Sequence, residues 1–191
     1  MSFDEILRFH GEALALFGSR VHAVRDDQWA GPTPCTEWTV RDLVNHLTAE
    51  QLWVPRLVRD GATIGEVGGD FDGDVLGDDP VAAWDRAAVA AVAAFSERGA
   101  LGRSVQLSYG SRPADAYCTQ MTADAVVHTW DLSRAIGADE RLPGHLARAA
   151  LQEVEPYAPG LSASGLFAPA VEPPADADAP TRLLCLLGRR P

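Results

Sequence analysis

The feature that most restricts the fold is the segment from Pro113 to Ile136, whose apolar residues lie on nearly all sides of a helix. At about 100° per residue, only one narrow arc of that helix is polar. A surface helix has a single apolar stripe, whereas a helix that is apolar around most of its circumference is enclosed by other elements. The segment therefore predicts a helical bundle with residues 113–136 near its centre.

Three further segments have the single apolar stripe of helices that pack around such a centre. The first covers residues 3–24 and is ended by the proline and glycine residues between positions 29 and 35. The second follows Thr39, which has the position of an N-cap, and continues to about Asp60. The third occupies residues 80–99. The chain is thus predicted to be all-α.

The remaining segments are shorter. Residues 61–79 are rich in glycine and aspartate, which predicts a loop rather than a packed element. Alternating residues between positions 104 and 112 favour a small strand or hairpin. A further helix is expected after Pro143, and a proline-rich stretch over residues 168–180 leads to a short apolar segment at residues 183–187.

This pattern predicts two parts of unequal size. We expect residues 1–160 to form the bundle. Residues 161–191 are expected to form a proline-rich C-terminal extension, with additional short helices, that packs on the bundle.

Composition restricts the partners. The formal net charge is −11 and no basic stripe is present, so nucleic acid and anionic membranes are poor partners. No run of about 18 apolar residues occurs, and the N-terminus is acidic, so we expect a cytoplasmic protein. The three cysteines are widely separated, which favours reduced structural thiols over disulfides or a zinc-thiolate site. The sequence leaves the oligomeric state open, a homodimer included.

The polar arc of the central helix holds the candidate functional residues. Asp124 and His128 are four residues apart, so their side chains leave the same face about one turn apart. His46 lies at the edge of the apolar stripe of the second helix, from where it can reach the bundle interior. Two imidazoles and one carboxylate leave one position of a metal ion open, which is typical of a catalytic metal site.

Simpler interpretations of the same residues stay open. An aspartate four residues from a histidine is also common on solvated or ion-paired helix faces. Asp42 and Glu50 each lie four residues from His46, so the second helix has the spacing for a two-residue site of its own. Asp131 lies in the same arc as Asp124, where it can ligate an ion or accept a hydrogen bond from a ligand.

Two segments resemble the signature segments of a known superfamily. Residues 34–47, PCTEWTVRDLVNHL, and residues 124–135, DAVVHTWDLSRA, resemble those of the DinB-like, mycothiol-dependent maleylpyruvate isomerase superfamily. Residues 71–80, FDGDVLGDDP, resemble an uncharacterised metal-binding branch of it. The resemblance implies a four-helix bundle.

The resemblance also implies a metal site. In that superfamily one histidine of the second helix and a pair of ligands four residues apart on the later helix hold the ion. The corresponding positions here are His46, Asp124 and His128. Asp124 stands where the isomerase has glutamate, and its side chain is one methylene shorter. Of the three ligand positions, Asp124 is therefore the one that the resemblance supports least. Zinc is the first expectation for this set of ligands, with nickel and iron as alternatives.

Three functions follow from such a site. The resemblance implies a metal-dependent thiol S-transferase or isomerase that uses mycothiol and acts on a small electrophile. A metal-dependent hydrolase that activates water is the first alternative. A non-catalytic bundle that binds a metal or a small ligand is the second, and the lack of an evident general base favours it. Arg41, Arg112 and Arg134 are available to hold a dicarboxylic substrate.

Other single residues are expected to be structural. His10 lies near the apolar face of the first helix, which predicts a buried, hydrogen-bonded histidine. His22 and His145 are expected on the surface. Cys35 precedes the second helix without a histidine beside it in sequence, so we expect a structural cysteine.

Overall fold

Seven helices and one hairpin are present in the computed structural model, which describes residues 1–157, 160 and 168–191. The helices are α1 (Phe3–Val21), α2 (Val40–Val54), α3 (Ile64–Val67), α4 (Pro80–Ser96), α5 (Ala114–Ile136), α6 (Gly144–Val154) and α7 (Ala179–Leu186). The strands are β1 (Ser104–Leu107) and β2 (Gly110–Pro113). Helices α1, α2, α4 and α5 pack into a four-helix bundle, and α6 packs on α5. The predicted all-α bundle is confirmed.

Helix α5 is enclosed by its neighbours, as the distribution of its apolar residues predicts. Buried residues occur on all its sides, and three of them are threonine or serine. Thr122, Thr129 and Ser133 each donate a hydrogen bond of 2.7 Å to the carbonyl four residues earlier, so these buried groups are satisfied within the helix. The helix ends at Gly137, whose φ of 71° is the left-handed conformation that terminates many helices.

Helix α2 begins and ends as its sequence predicts. The Thr39 hydroxyl accepts a hydrogen bond from the Asp42 amide, and the Asp42 carboxylate accepts one from the Thr39 amide. Such a capping box satisfies amides that the first helical turn leaves unpaired. Pro55 lacks an amide hydrogen, and Pro55–Arg59 continue the helix as one wider π-helical turn to Asp60. Helix α1, in contrast, ends at Val21, three residues before the predicted end.

The segment over residues 61–79 corrects one prediction. It contains a packed element, the single-turn helix α3, which begins with a capping box between Thr63 and Glu66 and buries Val67. Four residues are too few to show a helical period, so the sequence pattern could not reveal them. The rest of the segment is a loop that Asn45 of α2 holds through two hydrogen bonds of 2.8 Å, to the Gly73 carbonyl and from the Val75 amide.

The small hairpin predicted near residues 104–112 is present. Strands β1 and β2 pair antiparallel from Ser104 with Pro113 to Leu107 with Gly110, which leaves a two-residue turn. Strand β2 leads directly into α5. The hairpin is therefore fixed at the N-terminal end of the helix that carries the candidate site.

The C-terminal residues return to the bundle. Helix α7 packs against α6, with Leu183 and Leu184 buried. The predicted boundary between residues 160 and 161 adjoins residues 158, 159 and 161–167, which lie outside the described part, so the division into a bundle and an extension stays a prediction. Within the described residues, no helix is both long and apolar enough to cross a membrane.

Candidate metal centre

His46, Asp124 and His128 meet between α2 and α5. His46 Nε2 lies 3.4 Å from Asp124 Oδ2, and His128 Nε2 lies 3.4 Å from Asp124 Oδ1. The two imidazole rings are 5.4 Å apart between centroids and nearly perpendicular, at 78°. One ligand atom from each residue lies within 4.8 Å of the other two. Asp124 and His128, four residues apart on α5, thus lie beside His46 of the facing helix α2, which is the arrangement that the sequence predicts.

These distances fit a bound divalent cation. Two ligands of a tetrahedral ion with bonds of about 2.0 to 2.1 Å are about 3.3 Å apart. The 3.4 Å separations, one from each oxygen of the Asp124 carboxylate to an imidazole nitrogen, are close to that value. Two nitrogens and an oxygen are also a common set of ligands for zinc. The shorter aspartate side chain therefore reaches both histidines without a change of backbone.

The site is buried on one side and open on the other. The side chain of His128 is 9% exposed, while those of His46 and Asp124 are 31% and 28% exposed. The ring of Trp38 covers part of the pair, with its centroid 4.9 Å from that of His46 and 6.1 Å from that of His128. The His46 and Asp124 side chains are therefore partly accessible to solvent, while His128 is almost enclosed.

A buried carboxylate fixes the second nitrogen of His128. Asp131 Oδ2 lies 2.9 Å from His128 Nδ1. Arg189, which follows α7, donates to both oxygens of Asp131, at 3.2 Å from Nε and 2.8 Å from Nη2. An imidazole that donates its Nδ1 hydrogen to a carboxylate presents the lone pair of Nε2. The hydrogen-bonding role for Asp131 is thus the one that this geometry supports.

Comparison with known proteins gives the family. The family described as "Mycothiol maleylpyruvate isomerase N-terminal domain" matches residues 10–133. The chain belongs to this family. The match covers the second part of α1, all of α2 to α4 and most of α5, including all three candidate ligands.

This chain is also similar to two proteins in sequence and to one solved structure. The uncharacterized proteins MT0763 and Rv0738, from two strains of Mycobacterium tuberculosis, are each 32% identical over 141 residues, which are 74% of this chain and 72% of theirs. The crystal structure of a mutant of the mycothiol-dependent maleylpyruvate isomerase has a TM-score of 0.57. The two sequences are 13% identical, and the alignment covers 78% of this chain and 68% of the isomerase chain. At this identity the similarity shows the shared DinB-like fold and nothing further.

The charges of the carboxylate and the imidazoles at this site stabilise one another. Burial raises the pKa of Asp124, but His128 and His46 outweigh that effect and hold the pKa of this carboxyl below its usual range. Burial lowers the pKa of His128, yet Asp124 and Asp131 raise it well above its usual value. Without an ion, the residues thus form a buried ion pair. A dication requires neutral imidazoles, so protons compete with it for this site.

Glu50 is an additional carboxyl group beside the site. It lies one turn after His46 on α2, and burial raises its pKa, with Asp124 adding to the increase and the two histidines opposing it. Asp42, the other residue four positions from His46, accepts hydrogen bonds from Thr39 at the start of α2. Asp42 is thus engaged in the cap of α2, which leaves Glu50 as the carboxyl group four residues from His46 that interacts electrostatically with the candidate ligands.

Cys35 is closer to the site than its sequence position suggests. Its Sγ lies 3.8 Å from His128 Nδ1 and 3.4 Å from Asp131 Oδ2, so a histidine does lie beside it in the fold. Cys35, His128 and Asp131 form a second group with ligand atoms within 4.8 Å. However, the Arg189 guanidinium lies 3.7 Å from the sulfur and 2.8 Å from Asp131, and this positive charge opposes a second cation.

The other histidines lie outside the site. His10 is buried, as predicted, with Nδ1 3.4 Å from the Thr122 hydroxyl. His22 and His145 are on the surface, where they pair with Asp85 and Glu12. Neither Cys35 nor Arg189 could be assigned from spacing, because both come from segments distant in sequence from α5.

Proposed function

We propose that this chain is a metal-dependent enzyme that uses a low-molecular-weight thiol, mycothiol in the first place, to act on a small electrophile as an isomerase or S-transferase. The observation that carries the proposal is the convergence of His46, Asp124 and His128 at distances that suit one divalent ion, with one side of the site exposed. Membership of the mycothiol maleylpyruvate isomerase family supports the choice of thiol.

The three residues would hold the ion, for which zinc is the first candidate and nickel and iron are alternatives. When bound, a dication favours the thiolate form of a ligated thiol, and the thiolate is the nucleophile. The ligands His46 and Asp124 form the exposed edge of the site, so a thiol and an electrophile have access from that side.

The surrounding residues position the ligands and handle protons. The bidentate contact of Arg189 with Asp131 holds the carboxylate that orients His128. Trp38 packs against both imidazoles and limits their rotation. The Glu50 carboxyl group, whose pKa burial raises, can hold the proton that a thiol loses. A role for Glu50 as proton acceptor favours a catalytic site over a site that only binds.

Metal content and thiol-dependent turnover test this function together. The full chain, His46→Ala, Asp124→Ala and His128→Ala are purified, checked by circular dichroism and analysed for metals by mass spectrometry. The surface variant His145→Ala is the matched control, since it removes the same side chain outside the site. We expect about one equivalent of metal in the wild type and in the control, and a clear loss in each site variant.

Conjugation of mycothiol to a panel of electrophiles is then measured on the same proteins. The expected result is turnover that requires both thiol and metal and is lost with the metal. Loaded protein without thiol-dependent turnover contradicts the proposal, and ester or amide hydrolysis without thiol would replace it by a hydrolase. A wild type that stays free of metal when zinc or nickel is supplied contradicts the metal site itself.

A further inference from the structure

An open groove runs along the surface between α1 and α4. Its volume is about 880 Å³, which lies within the range of about 300 to 1,000 Å³ that is usual for sites of small molecules. The candidate metal centre lies between α2 and α5, the other pair of helices in the bundle. The groove is therefore separate from the site described above.

Small and apolar residues form the walls of this α1–α4 groove. On α1, Gly11 and Ala15 leave the helix surface nearly bare, and a Cβ added at Gly11 would meet no atom within 4 Å. On α4, the groove is bordered by Val89, which is 70% exposed. From Gly11 to His22 the groove follows α1 for about 16 Å. These walls suit an elongated apolar molecule.

The indole of Trp84 supplies one directed polar group at the groove. Trp84 is 1% exposed, and within the described part of the chain no atom accepts a hydrogen bond from its Nε1. A Cβ added at Gly18 would lie 2.8 Å from Nε1, and 3.7 and 3.8 Å from the two ring carbons bonded to that nitrogen. These nearly equal distances show that the N–H bond points at the gap that Gly18 leaves in the groove wall. Because a buried indole N–H usually has an acceptor, this donor is available to a ligand.

The charged side chains at the groove bind each other. The Asp85 oxygens lie 2.9 and 3.0 Å from His22 Nε2. Among the described residues that line the groove there is no arginine, and the formal net charge of the chain is −11. An anionic ligand thus has no guanidinium to bind here and is repelled by the molecule as a whole. The groove therefore favours a neutral ligand with an oxygen that accepts the indole hydrogen.

A second copy of the chain fits this groove less well than a small molecule does. The residues that line the groove are fewer than the roughly 20 to 30 per partner of a stable protein–protein interface. Two copies would also bring two net charges of −11 together. Apolar walls with a single directed donor are instead typical of a small-molecule site, in which a few polar groups orient the ligand.

We propose that the α1–α4 groove binds a neutral, elongated apolar molecule, and that Trp84 Nε1 donates a hydrogen bond to an oxygen of that molecule, such as the oxygen of a ketone. The site uses neither the metal ligands nor a thiol. It is therefore a second ligand site, beyond the proposed function and independent of it.

Titration of the full-length protein with 2-octanone, followed by nuclear magnetic resonance of the indole N–H groups, tests the site. The chain has five tryptophans, and the signal that disappears in Trp84→Phe belongs to Trp84. We expect this signal to move with saturation while the other four stay in place. The shorter 2-hexanone should bind roughly tenfold more weakly, because two fewer methylenes are buried. Octanoate, which has the same length as 2-octanone but a negative charge, should also bind more weakly.

Two glycine variants separate the groove from the rest of the surface. Gly11→Leu places a side chain in the groove, and the fold is kept because the site is open and leucine favours a helix more than glycine does. Gly144→Leu is the matched control, since it makes the same change at an equally open glycine of α6. Affinity for 2-octanone should fall about tenfold or more in Gly11→Leu and stay unchanged in Gly144→Leu. Trp84→Phe should lose about fivefold, which corresponds to one neutral hydrogen bond.

Saturable movement of the Trp84 signal that Gly11→Leu removes, with circular dichroism unchanged, supports the inference whether or not the protein binds metal or turns over a thiol. The inference is overturned if the Trp84 signal does not move up to the solubility limit of 2-octanone, because the indole then donates to water only. Equal affinity in Gly11→Leu and Gly144→Leu, or tighter binding of octanoate than of 2-octanone, overturns it as well. A Trp84 signal that moves with protein concentration, together with a dimer mass from light scattering, would assign the groove to a second copy instead.

Discussion

At the scale of single residues, His10 and His128 are both buried in the bundle, yet their pKa values are shifted in opposite directions. Burial lowers the pKa of each. Around His128, the carboxylates of Asp124 and Asp131 outweigh burial and raise the pKa well above its usual value. His10 contacts the hydroxyl of Thr122 and the ring of Phe95, which carry no charge, so burial lowers its pKa to about 4.

We expect His10 to make the stability of the protein depend on pH. The folded chain protonates this residue only near pH 4, whereas the unfolded chain does so at its usual value of 6.5. Between these values the unfolded state binds more protons, so the free energy of unfolding falls as the pH is lowered from 6.5 towards 4. The total loss is about 3 kcal/mol.

Urea denaturation of the wild type and of His10→Leu across this pH range measures the effect. The free energy of unfolding of the wild type minus that of the variant should decrease by about 3 kcal/mol on acidification, since all other groups titrate in both proteins. A difference that does not change with pH would show that His10 keeps its usual pKa in the fold.

At the scale of secondary-structure elements, length decides what the sequence can predict. The long helices α1, α2, α4 and α5 each complete several turns, so their apolar period is visible, and the alternation of residues 104–112 predicted the hairpin. Helix α3 completes a single turn and was missed. A cap residue was informative for the long helix α2: Thr39 was predicted as its N-cap and occupies that position in the structure.

The cap of α2 should influence both stability and the metal centre. Thr39→Ala removes the hydroxyl that accepts from the Asp42 amide and is expected to lower the free energy of unfolding by about 1 kcal/mol. Thr39 follows Trp38, which packs against His46 and His128, so a loosened helix start should also weaken metal binding. Competition with a chelating dye measures the metal affinity.

Ser2→Ala is the matched control, because Ser2 forms the same kind of capping box with Glu5 at the start of α1, away from the site. The two variants should lose similar stability, and Thr39→Ala alone should lose metal affinity. If both variants bind metal as the wild type does, the start of α2 does not position the site.

At the scale of the whole molecule, the site combines local and distant contributions, and the sequence predicts mainly the local ones. Asp124 and His128 are related by helix geometry, and His46 was located by its place at the edge of the apolar stripe of α2, to which the resemblance added support. Cys35 and Arg189 contact Asp131 from opposite sides in sequence, 96 residues before it and 58 residues after it. The position of Arg189 depends on how α7 packs on α6, which no periodic pattern encodes.

Arg189 therefore links the end of the chain to the metal centre, and its removal should have two effects. Its side chain is 11% exposed, and Arg189→Gln removes the guanidinium that donates to the buried Asp131. The free energy of unfolding should fall by about 3 kcal/mol, because a buried carboxylate loses a charged hydrogen-bond donor. Metal affinity should fall on the order of tenfold, because Asp131 then orients His128 less firmly.

Arg190→Gln is the control for this variant, since it makes the same substitution at the next residue, which is exposed. Urea denaturation and dye competition on both variants separate the contribution of the guanidinium at Asp131 from that of the charge at the C-terminus. Equal behaviour of the two variants would mean that the residues after α7 do not support the site. A loss of metal affinity in Arg189→Gln, even where the variant is fully folded, would instead show that the last residues of the chain complete a metal centre built on α2 and α5.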